Sequence, residues 1–415
     1  MKRSTLLAIA LFLASLNLRP VISSIAPLLE TIRNDLGMSA SSASLLTSIP
    51  VLCMGLFSPI AVKLGIRHGI ERILAFALVL VGGATLIRWF TPSYAFLLIT
   101  SLVAGIGIAA AGPLLSGFVK RYFPGQVASM IGVYSVAMVI GAALSAGLSV
   151  PFQNAFNGSW RSALGLWAIF AVIALPAWWW FVLRRSEPKH VQISSLNDTG
   201  RLPWRNSRAW LLTLFFGMMA ILFYSITAWL PPAVSNMGYS KIYAGNMLTL
   251  CTLVQIPATF LIPMLVNRFS NRLLWMIACA LFNLAGILLI IFSGSPWIAA
   301  ILLGIGNGGL FPIALMLPIE ETSNAQDASS WSAMTQSVGY AIGALGPILV
   351  GWIQDMTDSF VFAFVGLAVI CTAMILVQLL IGSKKGPTEN CSHSRNPQTL
   401  LAIPSETHIK RRRHS

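Results

Sequence analysis

What most constrains this chain is a succession of apolar runs, each about twenty residues or longer, parted by short polar loops. About 20 apolar residues in helical conformation cross the hydrocarbon core of a bilayer. Runs of that length fall near 5–29, 43–63, 70–90, 94–118, 126–150, 161–183, 208–232, 241–266, 271–292, 296–318, 328–352 and 358–382. They predict twelve membrane-spanning helices, numbered 1 to 12 in chain order. Composition agrees: 56% of the 415 residues are hydrophobic and 9% are charged, against roughly 25% charged in a soluble domain. Such a chain cannot cover a water-facing surface, so the lipid bilayer is its expected partner. The opening Met1-Lys2-Arg3 imitates a secretory leader. The apolar run behind it continues past Arg19-Pro20 to Glu30 and is read as helix 1.

The net charge is +15, which in a soluble protein would point to nucleic acid. Here the basic residues fall in short loops instead. With both termini on one side, that side holds 22 of the 27 Lys and Arg, and the other holds only Arg33, Arg161 and Lys241. The positive-inside rule then places both termini in the cytoplasm, in the inner membrane of a bacterial cell, with no nucleic-acid partner. The longest interior connection, 184–207, is polar and basic. It predicts a cytoplasmic linker between two six-helix bundles, 1–183 and 208–382. Residues 383–415 lack apolar periodicity and end in Lys410-Arg411-Arg412-Arg413. They read as a disordered basic tail near anionic lipid. The chain is expected to act as a monomer.

An internal repeat supports two halves. Helix 4 carries Gly105-Ile106-Gly107 and then Pro113, and helix 10 carries Gly304-Ile305-Gly306 and then Pro312, at equal spacing. Helix 5 carries Ser135-Val136 and then Gly141-Ala142, and helix 11 carries Ser337-Val338 and then Gly343-Ala344. Small residues of this kind let helices approach closely. Parallel six-helix halves related by an axis along the membrane normal are the arrangement of major facilitator transporters.

No soluble-enzyme motif is present, and the chain is not expected to be an enzyme. The five histidines lie in loops or the tail, the cysteines Cys53, Cys251, Cys279, Cys371 and Cys391 lack metal-ligand spacing, and no phosphate-binding glycine loop occurs. No cofactor or metal is expected. No acidic residue falls at mid-membrane depth, so no buried carboxylate is expected to relay protons. A cytoplasmic catalytic or signalling domain would need a larger linker or tail than this chain has.

Arg19 stands out near the middle of helix 1, where a charge costs at least a few kcal/mol. Ser15, Arg19, Ser23 and Ala26 follow at spacings of four, four and three, one polar helical face with Glu30 at its outer end. Two readings stand: contact with a small anion or oxygen-rich group, or a structural arginine satisfied by neighbouring carbonyls. Arg88 near the outer end of helix 3 is expected to snorkel or to pair with Glu30. Tyr134, Tyr224, Gln255, Asn307 and Gln336 are polar residues at membrane depth. They are candidates to complete a substrate site around Arg19, with interhelical packing as the plainer role. Arg88, Glu30 and Trp229 are candidates for an outer gate, Trp229 equally for the aromatic belt.

The loop after helix 2 reads Ser58-Pro59-Ile60-Ala61-Val62-Lys63-Leu64-Gly65-Ile66-Arg67. It resembles the major facilitator loop signature in part, with Val62 at the usual Asp position. Helix 1 has Leu18-Arg19 and Ala26-Pro27-Leu28-Leu29, and the loop after helix 4 has Lys120-Arg121 and Phe123-Pro124. Helix 7 has Tyr224, Trp229-Leu230-Pro231 and then Gly238-Tyr239-Ser240. Helix 11 has Gln336-Ser337-Val338-Gly339-Tyr340, Gly346-Pro347, Gly351 and Asp355. Together these resemble the cyanate permease and 2-nitroimidazole transporter family of the major facilitators. The resemblance implies the major facilitator fold and alternating-access transport of a small-molecule substrate, either a small anion such as cyanate or a nitro-bearing heterocycle. It leaves direction and coupling open. The alternative is a multidrug exporter of the same fold. Such exporters often place a Gly-Pro motif in helix 5, whereas Gly346-Pro347 is in helix 11.

Overall fold

Twelve helices long and apolar enough to cross a membrane make up the architecture: α1 (Ser4–Leu36), α2 (Ala40–Gly65), α3 (Ile70–Phe90), α4 (Tyr94–Val119), α5 (Gly132–Ala155), α6 (Trp160–Phe181), α7 (Ser207–Asn236), α8 (Lys241–Val266), α9 (Arg272–Ile291), α10 (Pro296–Pro318), α11 (Trp331–Thr357) and α12 (Phe360–Gly382). The computed structural model describes residues 3–123, 126–185, 203–269, 271–322 and 325–383. Most of the linker expected at 184–207, and all but Ser383 of the tail expected at 383–415, lie outside the described residues.

Helix starts are set by local chemistry. The side chains of Ser39, Ser93, Asn206 and Asn271 accept hydrogen bonds from the first turns of α2, α4, α7 and α9, pairing N–H groups that a helix start leaves free. The predicted helices agree with these spans to within a few residues, except at helix 5, expected at 126–150 against Gly132–Ala155, and at two further ends. Helix 1 was expected to stop at 29. It stays helical to Leu36, because no breaker intervenes before Gly37 at φ 61°. Helix 11 was expected to stop at 352, and α11 runs on to Thr357, with Asp358 at φ 50° ending it.

The sequence repeat has the same structural meaning in both halves. A methyl group on Gly105 of α4 would run into Pro50 and Cys53 of α2; one on Gly304 of α10 would run into Cys251 and Val254 of α8. Gly107 faces Ala77 and Val81 of α3, and Gly306 faces Cys279 and Asn283 of α9. Each central helix therefore leans on its two neighbours through paired glycines, and the two six-helix bundles are pseudo-symmetric.

The halves meet along α2 against α11 and α5 against α8. One end of the bundle carries the basic loops around Arg67 and Arg121; call it the basic end, and the other the far end. At the far end the two halves share one apolar core, in which Ile25, Leu28 and Ile32 of α1 join Ile226, Trp229 and Ala233 of α7. Toward the basic end the first half has its own core, built on Leu7, Leu11, Leu78, Leu115, Phe118 and Trp178. The ion pairs Arg121–Glu71, Arg208–Glu321 and Arg272–Glu320 at the basic end each join helices of the same half.

Candidate functional site

The site is built on a break in α1. The helix runs from Arg3 to Leu16, turns through Asn17–Arg19, resumes over Pro20–Ser23, and continues through a 3-10 turn at Ala26–Leu28 into Leu29–Leu36. Pro20 explains the break. It has no N–H to give the Leu16 carbonyl, and its ring crowds that oxygen. Gly141 of α5 sits against the freed Leu16 oxygen, so closely that any side chain there would overlap it. The single polar face expected for Ser15, Arg19, Ser23 and Ala26 is therefore not continuous. Ser15 turns into the bundle and donates to Leu11 O at 2.6 Å, and Ser23 and Ala26 are buried.

Arg19 lies at this break, half-buried, and projects toward the second half. Its guanidinium carbon stands 5.3 Å from the centre of the Phe223 ring on α7. Tyr224, Tyr134 and Tyr340 are close enough to feel its charge. The rings form a connected wall. Phe223 and Tyr224 are 5.1 Å apart, Phe223 and Phe311 6.4 Å, Tyr224 and Tyr340 6.4 Å, and Tyr340 and Phe216 5.2 Å. Tyr224 also donates to the Met54 sulfur at 3.8 Å, which ties α7 to α2. Among the described residues no carboxylate pairs with Arg19. A cation held in low dielectric against an aromatic face gains about 0.5–2 kcal/mol, which leaves room for a stronger anionic partner.

The structure places Tyr134 and Tyr224 near Arg19. Gln255, Asn307 and Gln336 make no identified contact with that group. Gln255 bonds its own helix through Cys251 Sγ at 3.8 Å, Asn307 is buried in α10 with its side-chain oxygen unpaired, and Gln336 is half-buried on α11. Phe223, Phe216 and Phe311 escaped the sequence reading, because a Phe in an apolar run looks the same facing a site or facing lipid. One signal was available: Phe216 and Phe223 are seven residues apart, two turns on one helical face.

Two gate candidates need correction. Arg88 neither snorkels nor pairs with Glu30. It is fully buried and donates from Nη1 to Val21 O at 2.8 Å, from Nη2 to Ser101 Oγ at 3.0 Å and from Nε to Thr100 Oγ1 at 3.4 Å. The apolar length of α3 carries it inside the first bundle, beside the Val21 carbonyl of α1. Trp229 is also fully buried, its indole N–H donating to Pro347 O of α11 at 3.0 Å, so it braces the second bundle and lies in no belt. Glu30 does sit at the far end, near Lys241 and Arg33. There Lys241 Nζ reaches Thr31 Oγ1 across the two halves at 2.8 Å.

Two pseudo-symmetric six-helix bundles enclosing a cationic site at their interface have the architecture of a membrane transporter. The chain belongs to the Major Facilitator Superfamily, whose sequence profile matches residues 7–344. An uncharacterized transporter, YycB, of Bacillus subtilis is 36% identical over 84% of this chain and 86% of its own length. The 2-nitroimidazole transporter of Escherichia coli is 32% identical over 92% of this chain and 97% of its own. The cyanate transport protein CynX of Escherichia coli is 30% identical over 91% and 98%. Among solved structures, a bacterial homologue of the lysosomal transporter Spinster, inward-facing and occupied, superposes with a TM-score of 0.71 at 17% identity, covering 92% of this chain and 96% of that one. That likeness shows the fold. The chain is thus a multi-pass transporter of a cell membrane, and transporters are not enzymes.

Proposed function

We propose that this transporter carries a small anionic or nitro-bearing polar solute, bound by Arg19 between the two halves and released by alternating access. The observation that carries the reading is a guanidinium without a carboxylate partner among the described residues, presented at a helix break to Phe223 and Tyr224. Its planar fork suits an oxygen-rich or linear anion, and a nitro group offers the same negative oxygens. The names of two relatives, a 2-nitroimidazole transporter and a cyanate transport protein, support this chemistry. A cationic-drug exporter fits less well, because the site supplies a cation of its own. The far-end contacts would open and the basic end would close as the bundles rock about α2/α11 and α5/α8. By the positive-inside rule the basic end faces the cytoplasm.

The test is uptake of labelled cyanate, nitrite and 2-nitroimidazole into proteoliposomes by wild type, Arg19→Ala and Arg19→Lys. A hydrogen bond to a charged group contributes about 1.5–3 kcal/mol, so Arg19→Ala should raise the half-saturating concentration at least about tenfold. Arg19→Lys should recover only part. Equal uptake by all three proteins would sink the proposal.

A further inference from the structure

Arg88 is a charged side chain that lies wholly inside the first bundle, and the transport site does not use it directly. Its acceptors are neutral. They are the Val21 carbonyl on α1 and the hydroxyls of Thr100 and Ser101 on α4. Thr100 sends its own proton to Leu97 O at 2.7 Å, which leaves its lone pairs for Arg88. Among the described residues no carboxylate pairs with the guanidinium. Apolar contacts alone would hold α1 against α3 and α4 here, since Val21, Ile22, Val81, Ala84, Ala104 and Ile108 already form a buried cluster. The charge must therefore supply something packing does not.

The acceptor on α1 says what that is. Val21 lies in the short helix Pro20–Ser23 just after the break, and the N–H groups of Ile22 and Ser23 both bond to Arg19 O at 3.0 Å. A clamp on the Val21 carbonyl thus holds the one turn that is closed on Arg19's own carbonyl. The rigid fork joins that carbonyl through Nη1 to α4 through Nη2 and Nε, a two-helix span that a single-point ammonium does not reproduce. We infer that Arg88 is a positioning residue. It locks the Pro20–Ser23 turn so that Arg19 projects toward Phe223 and Tyr224 rather than swinging with the unwound segment. The inference rests on the reading of Arg19 as the substrate-binding cation.

The test compares wild type, Arg88→Gln, Arg88→Lys and Arg19→Ala, full-length and reconstituted, by cyanate and 2-nitroimidazole uptake and by backbone hydrogen exchange. In Arg88→Gln, exchange across residues 17–25 should rise at least tenfold, with little change in α7–α12. The half-saturating concentration should rise at least fivefold while the maximal rate changes less than twofold. Arg88→Lys should fall between Gln and wild type. Should Arg88→Gln fail to fold, Ser101→Ala removes one acceptor and should give the same pattern more weakly. Unchanged exchange at 17–25, full rescue by Lys, or looser exchange with unaltered affinity would each overturn the inference. If instead Arg19→Ala transports normally while Arg88→Gln still loosens residues 17–25, the binding role of Arg19 is what has failed.

Discussion

Asp355, near the end of α11, accepts a hydrogen bond at 2.7 Å from the backbone N–H of Ser41 at the start of α2. The N–H of Ala40 donates to the same carboxylate, and Arg33 Nη2 stands 3.9 Å from it. A carboxylate of one half thus caps a helix N-terminus of the other, where the helix dipole favours negative charge. Gly351 permits the approach, since a side chain there would overlap Ala40 and Ser44. The contact joins the two halves at the far end. Asp355→Asn keeps the shape but removes the charge and half the acceptor capacity. It should weaken closure by about 1 kcal/mol, a severalfold shift toward states open at that end. Spin labels at Asn34 and Asp358 would report it as a longer distance population, and an unaltered distribution would mean that Asp355 is no latch.

Phe223→Leu tests the aromatic wall. Leu keeps apolar volume and loses the π face under Arg19. The cation–π contact contributes about 0.5–2 kcal/mol, so affinity for the transported solute should change about two- to thirtyfold, and the folded yield should stay level. The readout is the half-saturating concentration in proteoliposomes.

Glycine substitutions should separate close approach from open space. Gly141→Ala drives a methyl into the Leu16 carbonyl at the α1 break, whereas Gly112 of α4 has nothing within 4 Å of the position a methyl would take. Overpacking costs about 1–3 kcal/mol, and Ala is favoured over Gly within a helix by about 0.5–1 kcal/mol. Gly141→Ala should therefore lower the melting temperature and Gly112→Ala should leave it level or raise it. Scanning fluorimetry in detergent decides the sign.

At the basic end the two halves use reversed charges. Glu71 at the start of α3 pairs with Arg121 beyond the end of α4 at 3.0 Å and accepts from Tyr122 at 2.8 Å. Arg272 at the start of α9 pairs with Glu320 beyond the end of α10. Glu71 is buried, and Arg121 is partly exposed. Glu71→Gln should destabilise by about 1–3 kcal/mol, below the full effect of breaking a buried pair. The double swap Glu71→Arg with Arg121→Glu should recover part of the loss, as the second half already tolerates that polarity. A double variant less stable than either single would refute the equivalence.

The twelve spans were legible because transfer into lipid demands about twenty apolar residues in a row, a condition written locally. The repeat was legible because glycines at Gly105, Gly107, Gly304 and Gly306 answer the same packing need twice. Arg19 was legible because a charge amid an apolar run cannot be lipid-facing without penalty. Arg88 was misjudged for a physical reason: hydropathy ranks position along a helix and says nothing of which way a residue faces. The break in α1 had one written cause, Pro20, yet a Pro within a membrane helix kinks it or breaks it depending on what receives the freed groups.

The sequence by itself thus determined the membrane environment, the helix count, the two-fold repeat and the presence of one exceptional cation. These follow from composition and spacing, which act within a single segment. Only the tertiary structure decided that α1 breaks at Arg19, that Arg88 bonds the turn beyond it, that Phe223 of the second half comes to face the guanidinium, and that the two halves join at the far end. Each of those depends on contacts between helices distant in the chain, where the direction of a side chain, set by packing, outweighs its identity.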